Sequence, residues 1–256
     1  MFDLSDRMEM VAQAVRNLGD IYGRPMHCVA DIGCDHAFVA MHLVQSGVCE
    51  RAIASDVRSG PLIIASQNIA REGLESLVEP RLSNGFSAIA PGEVDVAVIA
   101  GMGGRLICDI LSAAEEHMKN GVGLVLSPHV ESEIVRRFVL ERDYTIEDET
   151  MVLDAGKYYN IITAIPAERS KRPVGLSFYS DVELRYGKTM LDMRSNVLHF
   201  YLNKEHGRLM ELLNKLAVSD ADVEIRERRL NEIEAELRVI DAGLAYYEGG
   251  AIMTKS

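Results

Sequence analysis

Short apolar runs alternate with longer amphipathic segments along the first 166 residues of the chain. The apolar runs predict β-strands, at 28–33, 51–56, 77–82, 94–100 and 122–127. The amphipathic segments predict helices between them, at 37–46, 60–72, 104–119 and 131–142. Strands that are apolar at nearly every position are buried on both faces, and the helices between them form right-handed crossovers. The pattern therefore predicts an α/β domain with a mostly parallel sheet.

The same domain is completed by a segment at each end. A helix from about Leu4 to Leu18 is expected to cap the sheet. Residues 145–166 predict two antiparallel strands around a turn at Ala155-Gly156. The first predicted domain thus covers residues 1–166.

A second, helical domain is predicted over residues 176–248, after a change of composition at Pro173 and Gly175. It contains two apolar stripes, Leu198, Leu202, Leu209, Leu212 and Leu216, then Leu230, Ile233, Leu237, Ile240 and Leu244. The spacing is helical, with Glu205 as the one break, and a polar turn at 217–222 separates the stripes. This pattern is typical of an antiparallel coiled-coil hairpin. The alternative is that both stripes pack on the first domain, but the charged outer faces favour the hairpin.

Composition and charge narrow the class of protein. No apolar run reaches the roughly 18 residues that a bilayer requires, and the N-terminus is unlike a secretory signal, so we expect a cytoplasmic protein without membrane contact. The four cysteines lack the spacing of a zinc site, and we expect reduced thiols and no metal. The net charge of −12 argues against a generic nucleic-acid binder. Of that charge, −11 falls in residues 1–165, so a polyanion is repelled less by the C-terminal part.

Polar residues and glycines follow each predicted strand, where a doubly wound sheet binds its ligands. The first strand ends in Asp31-Ile32-Gly33-Cys34-Asp35-His36 and the second in Asp56. A dinucleotide site would need three glycines in the first loop, and two carboxylates there repel a pyrophosphate. A cationic ligand is favoured instead, and S-adenosylmethionine fits, with its carboxylate on the amides at the helix start. Asp56 is suited to the ribose hydroxyls, although an acid favoured by a helix dipole is the alternative.

The next two strand ends add candidates of the same kind. Asn84, in Ser83-Asn84-Gly85, is placed to bind the adenine amino group, unless the segment is a plain turn. The fourth strand ends in AGMGG at 100–104, and glycines after a buried strand indicate a close approach or a positive φ rather than a flexible connector.

Four segments, ADIGCDHAFVA, AGMGGRLI, LSPHV and GKYYNIITA, closely resemble the bacterial tRNA (adenine-22-N1)-methyltransferase family in order and spacing. The resemblance covers essentially the whole chain. It implies a Rossmann-like class I methyltransferase domain with a C-terminal coiled-coil hairpin. It also implies S-adenosylmethionine as cofactor and N1 of adenine 22 in the tRNA D-loop as methyl acceptor. The chain departs from the family pattern at Ser127-Pro128-His129, at Ser83-Asn84 and at Asn160, where the family has Gln-Pro-Asn, Gly-Asp and Glu.

The resemblance and the strand ends together assign candidate roles. Cofactor contacts are expected from Asp31, Gly33, Cys34, Asp56, Asn84, Gly85, Ala100, Gly101 and Met102. Substrate contacts are expected from Met102, Gly103, Pro128, His129, Tyr159 and Arg7. Asp35 and His36 are the catalytic candidates: Asp35 to accept from the adenine N6 amino group and offset the growing charge, His36 to stack on the base or fix Asp35. The alternative for His36 is a helix-start residue bonded to backbone.

The function predicted is methyl transfer from S-adenosylmethionine to tRNA by a protein that we expect to be monomeric. Three alternatives stay open at this point: a nicotinamide dehydrogenase of the same fold class, a methyltransferase for another RNA or a small molecule, and a non-catalytic RNA-binding module with a decayed pocket. Basic residues of the hairpin, among them Lys188, Arg208, Arg228, Arg229 and Arg238, are expected to dock the tRNA body together with Arg7 and Arg58. A solvated charged face is the alternative there.

Overall fold

The chain divides into two compact units, Met1–Phe178 and Tyr179–Ser256. The computed structural model describes residues 4–217 and 223–248 of them. Within these ranges no helix is both long enough and apolar enough to span a membrane.

The first unit is built on a seven-stranded sheet. Its strands are β1 (Met26–Ile32), β2 (Cys49–Asp56), β3 (Val78–Leu82), β4 (Val96–Met102), β5 (Gly123–Pro128), β6 (Tyr144–Asp154) and β7 (Lys157–Pro166). Their order is β3-β2-β1-β4-β5-β7-β6. Strands β1 to β5 are parallel, whereas β7 runs antiparallel to β5 and to β6. The predicted α/β architecture, the mostly parallel sheet and the final hairpin are confirmed.

Six helices accompany this sheet: α1 (Asp6–Tyr22), α2 (Phe38–Gln45), α3 (Ser59–Arg71), α4 (Gly104–Ser112), α5 (Glu115–Lys119) and α6 (Ser132–Leu140). Two predicted helices differ from the structure. α1 starts after the Ser5 cap and continues a turn further than expected, because the left-handed residue that ends it is Gly23. The prediction of a single helix at 104–119 was wrong. The chain turns at Ala113 and Ala114, and the short helix α5 that follows buries Met118.

The buried strands explain why the sequence is so apolar there. Every residue of β5 is buried, and every residue of β1 except His27 is buried. In a parallel sheet with helices on its faces, no side of these strands meets water, so each position favours an apolar or small side chain. The polar residues that do occur at the strand ends, such as Asp31 and Asp56, therefore need a specific reason.

The second unit is helical. It contains α7 (Asp181–Tyr186), α8 (Lys188–Asp192), α9 (Asn196–Ala217) and α10 (Val223–Glu248). α9 and α10 are antiparallel, because His199 near the start of α9 stacks on Tyr247 near the end of α10, with 4.3 Å between ring centroids. The buried side chains follow the predicted stripes, Leu198, Leu202 and Leu209 on α9 and Ile233, Leu237 and Ile240 on α10. Residues 218–222 of the predicted turn lie outside the described residues.

Candidate active site

A cavity of about 470 Å³ opens at the carboxyl ends of the parallel strands. Strand β2 lies on one side of β1 and β4 on the other, so the order of strands along the sheet reverses at β1. Sheets of this kind bind their ligands at such a reversal. The predicted site residues that line the cavity are Arg7, Asp31, Gly33, Cys34, Asp35, His36, Asp56, Asn84, Gly85, Ala100, Gly101, Met102 and His129. Gly103, Pro128 and Tyr159 lie outside this lining.

Helix α1 forms part of the cavity wall. The sequence analysis expected a substrate contact from Arg7 of this helix, but not that Met8 and Val11 would line the cavity. Arg7, Met8 and Val11 project into the lining from its first two turns. Arg7 and Val11 are four residues apart and share one helix face, so the contact expected of Arg7 was the signal that could have placed Val11 at the cavity. On the opposite side, Val57 and Arg58 after β2 and Leu106 and Ile110 on α4 complete the wall.

Asp31 is the buried carboxyl group at the end of β1. Burial raises its pKa to about 7, the nearby Asp56 carboxylate adds to the rise, and the backbone amide of Ala40 in α2 opposes it. An isolated charge at this depth is unfavourable unless it is paired. A cationic group bound in the cavity would supply that pairing, which is a property of a ligand site and not of a structural core.

The loop after β1 is held in an unusual backbone conformation. Asp35 and Ala37 both have positive φ, 51° and 63°, which costs non-glycine residues of the order of 1 kcal/mol or more each. Backbone bonds fix the loop: the amides of Gly33 and Cys34 donate to the Ser55 carbonyl, and the Ala37 amide donates to the Cys34 carbonyl. The loop therefore presents Asp35 to the cavity from a rigid frame, with the Asp35 side chain 67% exposed.

His36 follows Asp35 and is anchored through its backbone. The side-chain amide of Asn68 on α3 donates to the His36 carbonyl at 3.1 Å. The Nε2 atom of His36 lies 3.7 Å from the Asp35 carboxylate, which is beyond hydrogen-bond distance. The His36 ring packs edge to face against Phe38. The geometry allows a loose ion pair between His36 and Asp35 when the imidazole is protonated.

Asp56 and Asn84 occupy the neighbouring strand ends. The Asp56 carboxylate is buried, and its Oδ1 accepts from the Arg58 backbone amide at 2.9 Å. Asn84 is exposed at the end of β3, where its backbone amide donates to the Ser87 hydroxyl. Gly85 has a φ of 58°, and a Cβ there would meet Ile110 at 3.0 Å. The Arg58 amide thus orients the Asp56 carboxylate, and the Ser87 contact fixes the backbone of Asn84 at the neighbouring strand end.

The glycines at the end of β4 and directly after it show a positive φ and a close contact, as predicted, and a bulge that was not predicted. The pairing of β4 with β5 shifts register between Ala100 and Met102, with Gly101 at a φ of 81°. A Cβ on Gly104 would lie 2.5 Å from the Glu131 carbonyl oxygen, so only glycine fits. The bulge turns Met102 across the cavity, where its methyl group would lie 2.1 Å from a Cβ added to Gly33. Gly33 thus leaves room for Met102.

An arginine, a histidine and a tyrosine meet beside Gly101. Arg7 Nη1 donates to His129 Nε2 at 2.7 Å, and the guanidinium carbon lies 4.9 Å from the centre of the Tyr159 ring. The rings of His129 and Tyr159 are 5.4 Å apart. Burial and the Arg7 charge both lower the pKa of His129, so the imidazole is neutral at pH 7. Since arginine has no acceptor, Nε2 is the unprotonated nitrogen and the proton is on Nδ1.

A buried polar network supports the segment that carries His129. Arg136 on α6 is fully buried, and its Nε donates to Glu149 of β6 at 2.5 Å. Arg136 also reaches Asn160 of β7 at 3.5 Å, and the Asn160 amide donates to the Ser132 hydroxyl at 3.0 Å. Ser132 is the first residue of α6 and lies three residues after His129. The network therefore fixes the start of α6 and with it the chain that leads from His129. The family departure at Asn160 lies in this network and not in the cavity lining.

The cavity residues fit S-adenosylmethionine by their chemistry. Buried carboxylates at the ends of β1 and β2 suit an ammonium group and a ribose diol, and the apolar walls suit a thioether chain. In the described part of the chain no three histidine, cysteine or acidic side chains come together as a metal site would require. All four cysteines are buried thiols, and burial raises the pKa of Cys28 to about 11.

Comparisons with known proteins agree on one family. The family model for tRNA (adenine(22)-N(1))-methyltransferase matches residues 29–242. A Bacillus subtilis protein of that name is 32% identical over 174 residues, which are 68% of this chain and 70% of the relative. The B. subtilis M1A22 tRNA methyltransferase structure superposes with a TM-score of 0.77 at 25% identity, over 95% of this chain and 100% of that one. Streptococcus pneumoniae Sp1610, in complex with S-adenosyl-L-methionine, gives 0.77 at 27% identity, over 94% and 100%.

The raised pKa of Asp31 predicts that cofactor affinity depends on pH. A ligand ammonium pairs with the carboxylate form, so S-adenosylmethionine binding should strengthen as pH rises towards 7 and release a proton. Between pH 5.5 and 7.5, where an α-ammonium stays mostly protonated, we expect Kd to fall about 20-fold. Calorimetric titration in buffers of different ionisation enthalpy measures both the Kd and the proton release.

The matched variant is Asp31→Asn, which keeps the shape of the side chain and cannot ionise. We expect it to bind the cofactor weakly with a flat pH profile. It should also stabilise the cofactor-free protein at pH 7.5, because a carboxyl whose pKa is raised in the fold loses stability as pH rises from about 4 to 7. A wild-type Kd that does not change with pH would contradict the proposed pairing.

Proposed function

This chain belongs to the tRNA (adenine(22)-N(1))-methyltransferase family, and we propose that its cavity transfers a methyl group from S-adenosylmethionine to N1 of adenine 22 in tRNA. The observation that carries this is the pair of buried carboxyl groups, Asp31 and Asp56, at adjacent strand ends of a sheet with this strand order. We propose the cytoplasm as the location, since tRNA is the substrate, and a monomer as the working form.

On the cofactor side, each strand end has one task. Asp31 pairs with the ammonium group, and Asp56, whose Oδ1 is engaged by the Arg58 amide, accepts from the ribose hydroxyls. Asn84 and Gly85 border the adenine of the cofactor, and Cys34 and Ala100 line the space between. When bound, the cofactor supplies an electrophilic methyl group on a sulfonium. The chain holds that group near the β4 bulge, where Gly101 and Met102 form the wall.

On the substrate side, the chain must orient the target base and tolerate its new charge. N1 of neutral adenine already carries a lone pair, so no general base is needed, and alignment within about 3 Å of the methyl group provides most of the catalysis. The base leaves its stack in the tRNA, which costs a few kcal/mol. The rings of His129 and Tyr159 offer a surface against which it can pack. Gly103 and Pro128, the chain neighbours of Met102 and His129, are further candidates on this side.

Methyl transfer would form the N1–CH₃ bond while the S–CH₃ bond breaks. The sulfonium would leave as a neutral thioether, and the positive charge would move to the adenine ring. Asp35, presented by the rigid loop after β1, accepts from the N6 amino group and stabilises that charge. A neutral His129 avoids repulsion, which agrees with the lowered pKa of its imidazole. His36 assists by holding the Asp35 carboxylate when protonated.

The activity is tested with unmodified tRNA transcripts that carry adenine or guanine at position 22. Purified protein and labelled S-adenosylmethionine should give N1-methyladenosine from the adenine transcript and no label from the guanine transcript, read by nuclease digestion and mass spectrometry. Label at another nucleoside would indicate a different RNA substrate. Cofactor binding without any methylated RNA would indicate another acceptor or a non-catalytic module.

Asp35→Asn should lower kcat by about 10- to 100-fold and leave the Kd for S-adenosylmethionine unchanged, because the amide no longer offsets the charge of the product. Asparagine tolerates positive φ, so this variant keeps the loop, whereas alanine would strain it. Asp20→Asn, in an exposed position at the end of α1, is the control. Near wild-type turnover of Asp35→Asn would remove Asp35 from the reaction.

We further propose that exposed cations of the helical unit bind the tRNA backbone. Several basic residues expected to do this have acidic neighbours: Lys188 contacts Glu183 and Asp192, and Arg229 contacts Glu232 at 2.7 Å. Arg208 likewise pairs with Glu205 at 2.8 Å. Lys215, Arg228 and Arg238 are exposed on α9 and α10 and are the better candidates for phosphate contacts.

The double variant Arg228→Gln/Arg238→Gln should raise KM for tRNA several-fold at 150 mM salt. Each lost phosphate contact should also lower the slope of log KM against log salt by about 1. The control is Arg208→Gln/Arg229→Gln, which removes the same charge from arginines already paired with glutamates. Equal effects of the two double variants would favour a general charge effect over docking at Arg228 and Arg238.

A further inference from the structure

Two permanent cations line the cavity among the described residues, and they lie at different strand ends. Arg58 follows β2, and its Nε is 3.5 Å from the Asp56 carboxylate. Arg7 comes from α1 and lies beside the β4 bulge, where a Cβ added to Gly101 would be 3.7 Å from its Nη1. Since β1 separates β2 from β4 in the sheet, the two guanidinium groups lie on opposite sides of the loop after β1.

The cofactor bound in this cavity carries a carboxylate that needs donors. Its ribose is expected at Asp56, so the methionine part extends over β1 towards β4. The amides at the end of β1 are largely engaged: those of Gly33 and Cys34 bond the Ser55 carbonyl, and that of Ala37 bonds the Cys34 carbonyl. The amide of Ala40 faces Asp31. The loop amides before α2 and the Ala40 amide within it are therefore already engaged, and a side-chain donor is the stronger candidate for the carboxylate.

We infer that Arg7 binds the carboxylate of the methionine part of the cofactor, an assignment that rests on the proposed function. A guanidinium has five N–H donors in a planar fork that matches a carboxylate. The contact with His129 uses Nη1, and Nε and Nη2 remain on the same plane for a second partner. This assignment differs from the tRNA contact expected for Arg7 from the sequence.

One consequence is a physical link between the cofactor and the target base. Arg7 touches His129 at 2.7 Å and the face of Tyr159 at 4.9 Å, and these rings border the space proposed for the adenine. A carboxylate on the other side of the guanidinium fixes Arg7, and Arg7 in turn fixes the imidazole. Cofactor loading thus orders the wall against which the base packs.

The experiment compares S-adenosylmethionine with its decarboxylated analogue, which lacks only the carboxylate. For wild-type protein we expect the analogue to bind about 10- to 30-fold more weakly. For Arg7→Gln we expect the Kd for S-adenosylmethionine to rise by a similar factor, while the Kd for the analogue stays the same. Arg7→Lys should restore part of the difference. Arg16→Gln, at an exposed position on the same helix, is the control and should change neither Kd.

Other results would contradict either the role of Arg7 or the proposed function. Equal weakening of both ligands by Arg7→Gln would overturn the inference, because Arg7 would then act through the shape of the cavity. Unchanged Kd values with a raised KM for tRNA would also overturn it and assign Arg7 to a phosphate of the RNA. Wild-type protein that binds no S-adenosylmethionine would instead overturn the proposed function, and this inference with it.

Discussion

The parallel pairing of β1 with β4 is the contact on which the cavity depends. Because the chain leaves β1 for β2 and returns through β3 before adding β4 on the other side, the loops after β1 and β4 diverge and leave a crevice between them. The register, with Ile32 opposite Ile99, brings the Asp31 segment level with the AGMGG segment. The bulge at Gly101 then turns Met102 across that crevice. Sheet topology thus sets where chemistry can occur before any polar side chain is considered.

Within that crevice, the fold contains features that are unfavourable for stability alone. The Asp31 carboxyl is buried with a pKa raised to about 7, and two non-glycine residues of the next loop have positive φ. Such features persist where surrounding bonds fix them, here the backbone bonds to Ser55 and the Asn68 contact with His36. They are explained together by a cationic ligand that pairs with the carboxyl and by a loop that must not move during methyl transfer.

Local patterns were sufficient to predict the strands, their ends and most residues of the cavity, because apolar strands and the residues that follow them are adjacent in sequence. The patterns failed where the deciding contact is distant. The break between α4 and α5 carries no glycine or proline signal. Arg7 was expected at the site, but its hydrogen bond to His129, 122 residues away, was not. The buried Arg136–Glu149 pair is likewise invisible in sequence, since either residue alone resembles a surface charge.

Two of the departures from the family pattern, at Asn160 and His129, can be followed in space. Asn160 joins Ser132 to the buried Arg136, and so anchors the start of α6 behind His129. His129 itself offers a ring nitrogen as acceptor to Arg7, the role that an asparagine carbonyl could fill at the same position. The exchange of asparagine for histidine therefore keeps an acceptor against Arg7 and adds an aromatic surface beside Tyr159. A substitution that would look disruptive in a sequence alone is accommodated because a distant helix, α1, supplies the complementary donor.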